Sequence, residues 1–76
     1  MNPTREQILS FIKTRNASPF ASNMQFQIDA HECGFDAGDL GMAEVTETDG
    51  LKTYLWRTPH GRLVEVGGFL SLEGQP

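Results

Sequence analysis

The dipeptide Asp49-Gly50 is the feature that most restricts what this chain of 76 residues can fold into. It is a preferred two-residue turn of a β-hairpin, because both turn positions need positive φ angles, which Asp and Gly tolerate. Its flanks are rich in Thr, Val, Tyr, Leu and Trp, which favour strands. We therefore predict a hairpin that pairs Thr48 with Leu51, Glu47 with Lys52, Val45 with Tyr54 and Ala43 with Trp56.

A second turn, Pro59-His60-Gly61, extends this hairpin into a three-stranded antiparallel meander over about residues 42–72. With a three-residue loop, Thr58 pairs with Arg62, Trp56 with Val64 and Tyr54 with Val66. One face of the sheet then carries Ala43, Val45, Tyr54, Trp56, Val64 and Val66. The reverse face carries the mixed set Glu44, Thr46, Thr53, Leu55, Arg57, Leu63 and Glu65, which is typical of a face in water. Gly67-Gly68 interrupts the third strand, and a short return segment follows with Phe69, Leu70 and Leu72.

The N-terminal residues predict a helix over about Pro3 to Arg15. Asn2 can cap it with Pro3 in the first turn, or Thr4 and Gln7 can form a capping box. Apolar residues then follow at helical spacing and predict the face that covers the sheet: Ile8, Leu9, Phe11 and Ile12.

Two patterns coexist in residues 17–41. Phe20, Met24 and Ile28 recur every four residues before Gly34, which favours a second helix with Ser18 and Pro19 at its start. Met24, Phe26, Ile28 and Ala30 also alternate with polar residues, as in a half-buried strand. We favour the helix, followed by a connector over Phe35 to Gly41. The predicted fold is α+β: one N-terminal helix, or two, packed on a three-stranded meander in a single small domain, residues 1–76.

Size and composition restrict the class of protein. A chain this short with 38% hydrophobic residues forms one modest core, and the single cysteine, Cys33, allows no disulfide within the chain. Self-association into a homodimer is one way to supplement such a core. We find no signal segment at the N-terminus and no apolar run long enough for a bilayer, so we expect a cytoplasmic protein without membrane contact.

Charge is segregated along the chain, whose net charge is -4. No Lys or Arg occurs between Arg15 and Lys52. The stretch from 29 to 49, called the acidic segment below, contains seven carboxylates: Asp29, Glu32, Asp36, Asp39, Glu44, Glu47 and Asp49. Such a segment repels phosphate, so direct nucleic-acid binding is not favoured. It attracts basic protein surfaces, and we predict that these seven residues bind a partner.

The closest group of reactive residue types is Asp29, His31 and Cys33. These residues can bind zinc or supply a thiolate, but a structural zinc site needs a second ligand pair and a catalytic cysteine needs a placed imidazole. The glycines match no phosphate-binding motif. We therefore predict no catalytic residue, no metal and no cofactor, with His60 as an exposed turn residue and Tyr54 and Trp56 as core residues.

The leading functional hypothesis is a small acidic, non-enzymatic binding module that occludes a basic site on a larger protein. This character is similar to that of small acidic accessory proteins of phages and mobile elements, including inhibitors of host nucleic-acid-targeting machinery. A first alternative rests on a resemblance to winged-helix modules, which implies nucleic-acid binding or transcription regulation with Leu51 to Val66 as the wing. Such a module would work through the basic residues near the two ends of the chain: Arg5, Lys13, Arg15, Arg57 and Arg62. The segment of the recognition helix, Gly34 to Glu47, has no basic residue. A second alternative is a small metal-dependent or thiol protein using Asp29, His31 and Cys33.

Overall fold

The structure, a computed structural model, describes residues 2–19 and 21–74. Helices α1 (Arg5–Ala17) and α2 (Asn23–Glu32) precede a short 3₁₀ helix (Ala37–Leu40). Four strands follow: β1 (Glu44–Thr48), β2 (Leu51–Thr58), β3 (Gly61–Val66) and β4 (Phe69–Glu73). They form one antiparallel sheet in the order β1-β2-β3-β4. The α+β class is thus confirmed.

The sheet has four strands, so the prediction of three was wrong. Gly67 and Gly68 have φ angles of 59° and 85°, and they form a two-residue hairpin turn rather than an interruption of β3. The chain therefore reverses there, and Phe69 pairs with Val66 as β4 begins. The residues that we predicted as a short return segment complete the sheet.

Helix α1 begins with the capping box. The backbone N–H of Thr4 donates to Oε1 of Gln7 at 2.9 Å, and the N–H of Gln7 donates to Oγ1 of Thr4 at 3.1 Å. This reciprocal pair places the start at Arg5 rather than at Pro3, and the helix continues two residues beyond Arg15. Ile8 and Phe11 on its inner face are fully buried.

The second helix is confirmed and the strand interpretation of the same residues is wrong. Ser22, not Ser18, caps α2 by accepting from the N–H of Gln25. The predicted apolar repeat does not face the core, since Met24 is 73% exposed and Ile28 is 43% exposed. Phe20 lies outside the described residues. The inner face is instead formed by Phe26, Ala30 and Cys33.

The first hairpin has the predicted register. Thr48 pairs with Leu51, Glu47 with Lys52 and Val45 with Tyr54, around a turn in which Asp49 and Gly50 have φ angles of 54° and 79°. Strand β1 begins at Glu44, so the predicted pair of Ala43 with Trp56 is not part of it.

The second hairpin is shifted by one residue from the prediction. Its loop has two residues, Pro59 and His60, so Thr58 pairs with Gly61 and Trp56 with Leu63. Oγ1 of Thr58 donates to the carbonyl of Gly61 at 2.7 Å and accepts from the N–H of His60 at 3.1 Å, which closes the tight loop. Because side chains alternate between the two faces, this shift turns Leu63 and Glu65 towards the helices and Val64 and Val66 away from them.

The core lies between the helices and one face of the sheet. Its buried hydrophobic residues are Ile8, Phe11, Ala30, Phe35, Leu40, Trp56, Leu63 and Leu70. Asn16 of α1 also binds the outer edge of β4, since its side-chain amide donates to the carbonyl of Leu70 at 3.0 Å and accepts from the Leu70 N–H at 2.7 Å. None of the described helices is long and apolar enough to cross a membrane.

Candidate binding groove

Asp29, His31 and Cys33 do not come together as one reactive group. Asp29 is buried, His31 is exposed, and Cys33 is half-buried against the core. Within residues 2–19 and 21–74, no three His, Cys, Asp or Glu side chains are arranged to hold a metal ion. His60, predicted to be exposed, is half-buried, and its Nε2 lies 3.2 Å from the carbonyl oxygen of Pro3.

Asp29 forms a buried ion pair with Arg15. Nη1 of Arg15 lies 3.4 Å from Oδ2 of Asp29, and the two side chains are only 7% and 8% exposed. Nη2 of Arg15 donates to the carbonyl of Ala21 at 3.3 Å, while Nε2 of Gln25 donates to Oδ1 of Asp29 at 2.8 Å. These hydrogen bonds satisfy both charged groups and join α1 to α2 across the connecting loop. Asp29 is therefore withdrawn from the surface.

Aromatic rings continue from this ion pair towards the sheet. The guanidinium carbon of Arg15 lies 5.0 Å from the centre of the Phe26 ring. Phe26 is nearly parallel to Trp56, with ring centres 5.6 Å apart, and Trp56 is nearly parallel to Tyr54, with centres 6.1 Å apart. Trp56 is buried, as expected for a core residue, whereas Tyr54 is only half-buried. The row of rings thus ends at the surface.

An open groove of about 700 Å³ runs along this row, between α2 and the first hairpin. Its volume is in the range of ordinary ligand and side-chain pockets. One wall contains residues of α1, α2 and the segment before α2: Arg15, Ala21, Asn23, Phe26 and Gln27. The rest comes from the 3₁₀ helix and the sheet: Ala37, Gly50, Leu51, Lys52, Tyr54, Trp56, Glu65, Gly67 and Gly68. The groove therefore combines apolar rings with one exposed cation, Lys52, and one half-buried carboxylate, Glu65.

The acidic segment is distributed over several environments. Asp29 is buried in its ion pair, and Glu44 lies 3.2 Å from Arg57 in an exposed pair. Glu47 is directly opposite Lys52 in the sheet. Asp39 accepts from the backbone N–H of Asp36 and so supports the start of the 3₁₀ helix. The seven carboxylates do not form one continuous acidic face.

Three exposed carboxylates of the segment are neighbours of lining residues, in sequence or in strand pairing, although Asp36 itself lines a separate, smaller concavity with His31 and Asp39. Asp36 precedes the lining residue Ala37, Asp49 precedes Gly50, and Glu47 pairs with Lys52. We call Asp36, Glu47 and Asp49 the acidic rim. Glu32 and Glu44 are exposed but are neither lining residues nor neighbours of one in sequence or strand pairing.

None of the residues that line the groove was among the seven predicted site residues, and three of them bear charges, Glu65, Arg15 and Lys52. We placed Glu65 on the reverse face, and the shift in the second hairpin brings it into the groove. Arg15 was predicted only as one of the basic residues of the winged-helix alternative, not as part of a groove. Its spacing of seven residues from Ile8 and four from Phe11 was the available signal, because residues so spaced share one face of a helix.

The winged-helix interpretation needs a recognition helix between Gly34 and Glu47. That segment forms the 3₁₀ helix over Ala37–Leu40 and most of the edge strand β1. The chain gives no significant match to any protein-family model, any curated protein or any solved structure.

Proposed function

We propose that this protein is a non-enzymatic binding module that occludes a basic site on a larger protein. The acidic rim attracts the basic surface, and the groove receives one apolar or aromatic side chain of the partner. The proposal is supported mainly by exposed carboxylates that are neighbours of lining residues, above all Glu47 opposite Lys52, at a groove that Tyr54 and Trp56 line.

Attraction and anchoring are separate contributions in this proposal. Carboxylates around a site raise the rate of encounter with a basic partner, whereas affinity depends on a few side chains that become fully desolvated. The half-buried ring of Tyr54 offers the surface for such an anchor, and Glu65 offers an acceptor for a donor group on it. Lys52 reduces the negative potential of the groove, but Glu47 lies directly opposite it.

The partner class follows from the chemistry of the rim. Proteins with a concentrated basic surface are typically those that bind nucleic acid, because Lys and Arg neutralise the phosphates. A module bound there competes with nucleic acid. If the partner is part of a host's nucleic-acid-targeting machinery, the module would inhibit it. The proposal therefore includes the role of a phage or mobile-element inhibitor of such machinery.

Quantitative affinity capture from the native source tests the proposal. The rim variant is Glu47→Gln with Asp49→Asn, since Asn also tolerates the positive φ of the turn. The matched control is Glu6→Gln with Glu73→Gln, which removes the same charge from exposed positions outside the acidic segment. We expect the wild type and the control to capture the same basic protein in equal amounts. The rim variant should capture much less of it.

Kinetics with the captured partner then distinguish attraction from anchoring. The rim variant should slow association roughly tenfold at low salt with little change in dissociation. Substitution Tyr54→Ser should mainly speed dissociation. Equal loss of capture in the rim variant and the control, or association rates that do not respond to salt, would remove the proposal.

A further inference from the structure

The sheet has a second large face, on the side away from the helices. Strand pairing places four apolar side chains next to one another there: Leu55 opposite Val64, and Val66 opposite Phe69. Thr53 pairs with Val66 and completes the patch. Val66 is 42% exposed and Phe69 is 52% exposed, although both are large apolar residues. We call Thr53, Leu55, Val64, Val66 and Phe69 the back face.

No described element covers the back face. The core residues of α1 pack with Trp56, Leu63 and Leu70, whose side chains project from the opposite side of the sheet. The 3₁₀ helix contributes Leu40 to the same core. Contiguous apolar patches on the surface of small proteins are often functional.

The charged side chains beside the back face restrict the kind of surface that can pack on it. Beside the patch lie two carboxylates and two guanidinium groups, Glu44, Arg57, Arg62 and Glu73, so this end of the face has no net charge. The face therefore has no excess charge that would attract a strongly basic or a strongly acidic partner. An apolar face without net charge is matched well by an identical one, as when two sheets pack to form a sandwich.

The area of this side of the sheet limits the strength of such a contact. This whole side of the sheet, four strands about 4.8 Å apart and each about 17 Å long, presents roughly 300 Å² in projection, and the back face is its apolar part on β2, β3 and β4. Two such sides bury less area than a standard specific interface, even with the roughness of the side chains, so the contact is weak. We propose that the back face is the interface of a weak homodimer, in which the sheets of two copies pack face to face. The dimer would carry two acidic rims, and its formation is independent of the partner-binding proposal.

Sedimentation equilibrium of the full chain tests the interface. Between about 1 μM and about 1 mM protein, the mean mass of the wild type should rise from 8.4 kDa towards twice that value. The double variant Val66→Thr with Phe69→Thr should stay at the mass of one chain over the whole range. Thr keeps the preference for strands, and circular dichroism with thermal unfolding verifies that the variant is folded.

The matched control removes two exposed apolar residues elsewhere, Met24→Gln with Ile28→Gln on α2, and should dimerise like the wild type. In a mixture of isotope-labelled and unlabelled wild-type chains, contacts between copies should involve the methyl groups of Val64 and Val66. A wild type that stays monomeric throughout would mean that something other than a second copy contacts this face, and would overturn the proposal. Dimerisation of the back-face variant, or contacts between copies at the free edge of β1, would overturn it as well.

Discussion

Nη1 of Arg15 lies 3.4 Å from Oδ2 of Asp29, and this buried pair joins the two helices. The pair also removes Asp29 from the surface, so the carboxylate of Asp29 cannot contact a partner. The same guanidinium packs on Phe26, which lines the groove. The pair is therefore structural, and it supports the wall of the groove.

Removing one partner of this pair should be costly. Asp29→Ala leaves the Arg15 guanidinium buried without its counter-charge, and we expect the free energy of unfolding to fall by about 3 kcal/mol. Glu32→Ala, at an exposed position one turn further along α2, should change it by less than about 0.5 kcal/mol. Urea unfolding measures both. Equal effects of the two substitutions would show that the ion pair does not stabilise the fold.

The amide of Asn16 should stabilise the edge of β4. Asn16→Ala leaves both the N–H and the carbonyl of Leu70 without their side-chain partner, so we expect a loss of about 2 kcal/mol. Lys13→Ala, on the exposed side of the same helix, is the control. Hydrogen exchange should also show faster exchange of the Leu70 amide in the Asn16 variant. An unchanged exchange rate would contradict the pairing.

The register of the second hairpin can be tested by stability. Leu63 is fully buried, so Leu63→Ala should cost about 3 kcal/mol. Val64→Thr, on the back face, should cost less than about 1 kcal/mol when measured at a concentration that keeps the chain monomeric. The register that we predicted from sequence places Val64 inside and Leu63 outside. The reverse order of the two effects would support that register instead.

The contrast between the two hairpins shows what could be predicted from sequence. Asp49-Gly50 specifies a turn of one length, so the pairs around it were correct. Pro59-His60-Gly61 allows loops of two or three residues, and Leu63 and Val64 are both apolar, so alternation could not decide which faces the core. That single ambiguity moved Glu65 into the groove and Val66 onto the back face. Gly67-Gly68 was ambiguous in a different way, because paired glycines fit both an interruption of a strand and a two-residue turn.

The existence of both helices was predicted correctly, but the buried face of α2 was not. The capping box of Thr4 and Gln7 was a local signal, and it was correct. The repeat of Met24 and Ile28 suggested the wrong inner face for α2, because Asp29 on the actual inner face is polar. A buried carboxylate is recognisable only with its partner, and Arg15 is 14 residues earlier in the chain. Contacts between distant residues of this kind are set by packing rather than by local pattern.

The central claim is that the groove and its acidic rim bind a basic partner, and an NMR titration with a defined probe tests it most directly. The probe is a lysine-rich peptide with one central tryptophan, and the control is a glutamate-rich peptide of the same length. At low salt we expect the lysine peptide alone to shift the resonances of Tyr54, the Trp56 indole and Gly50, and added salt should weaken its binding. The absence of shifts at low salt, or shifts centred on the back face, would contradict the claim.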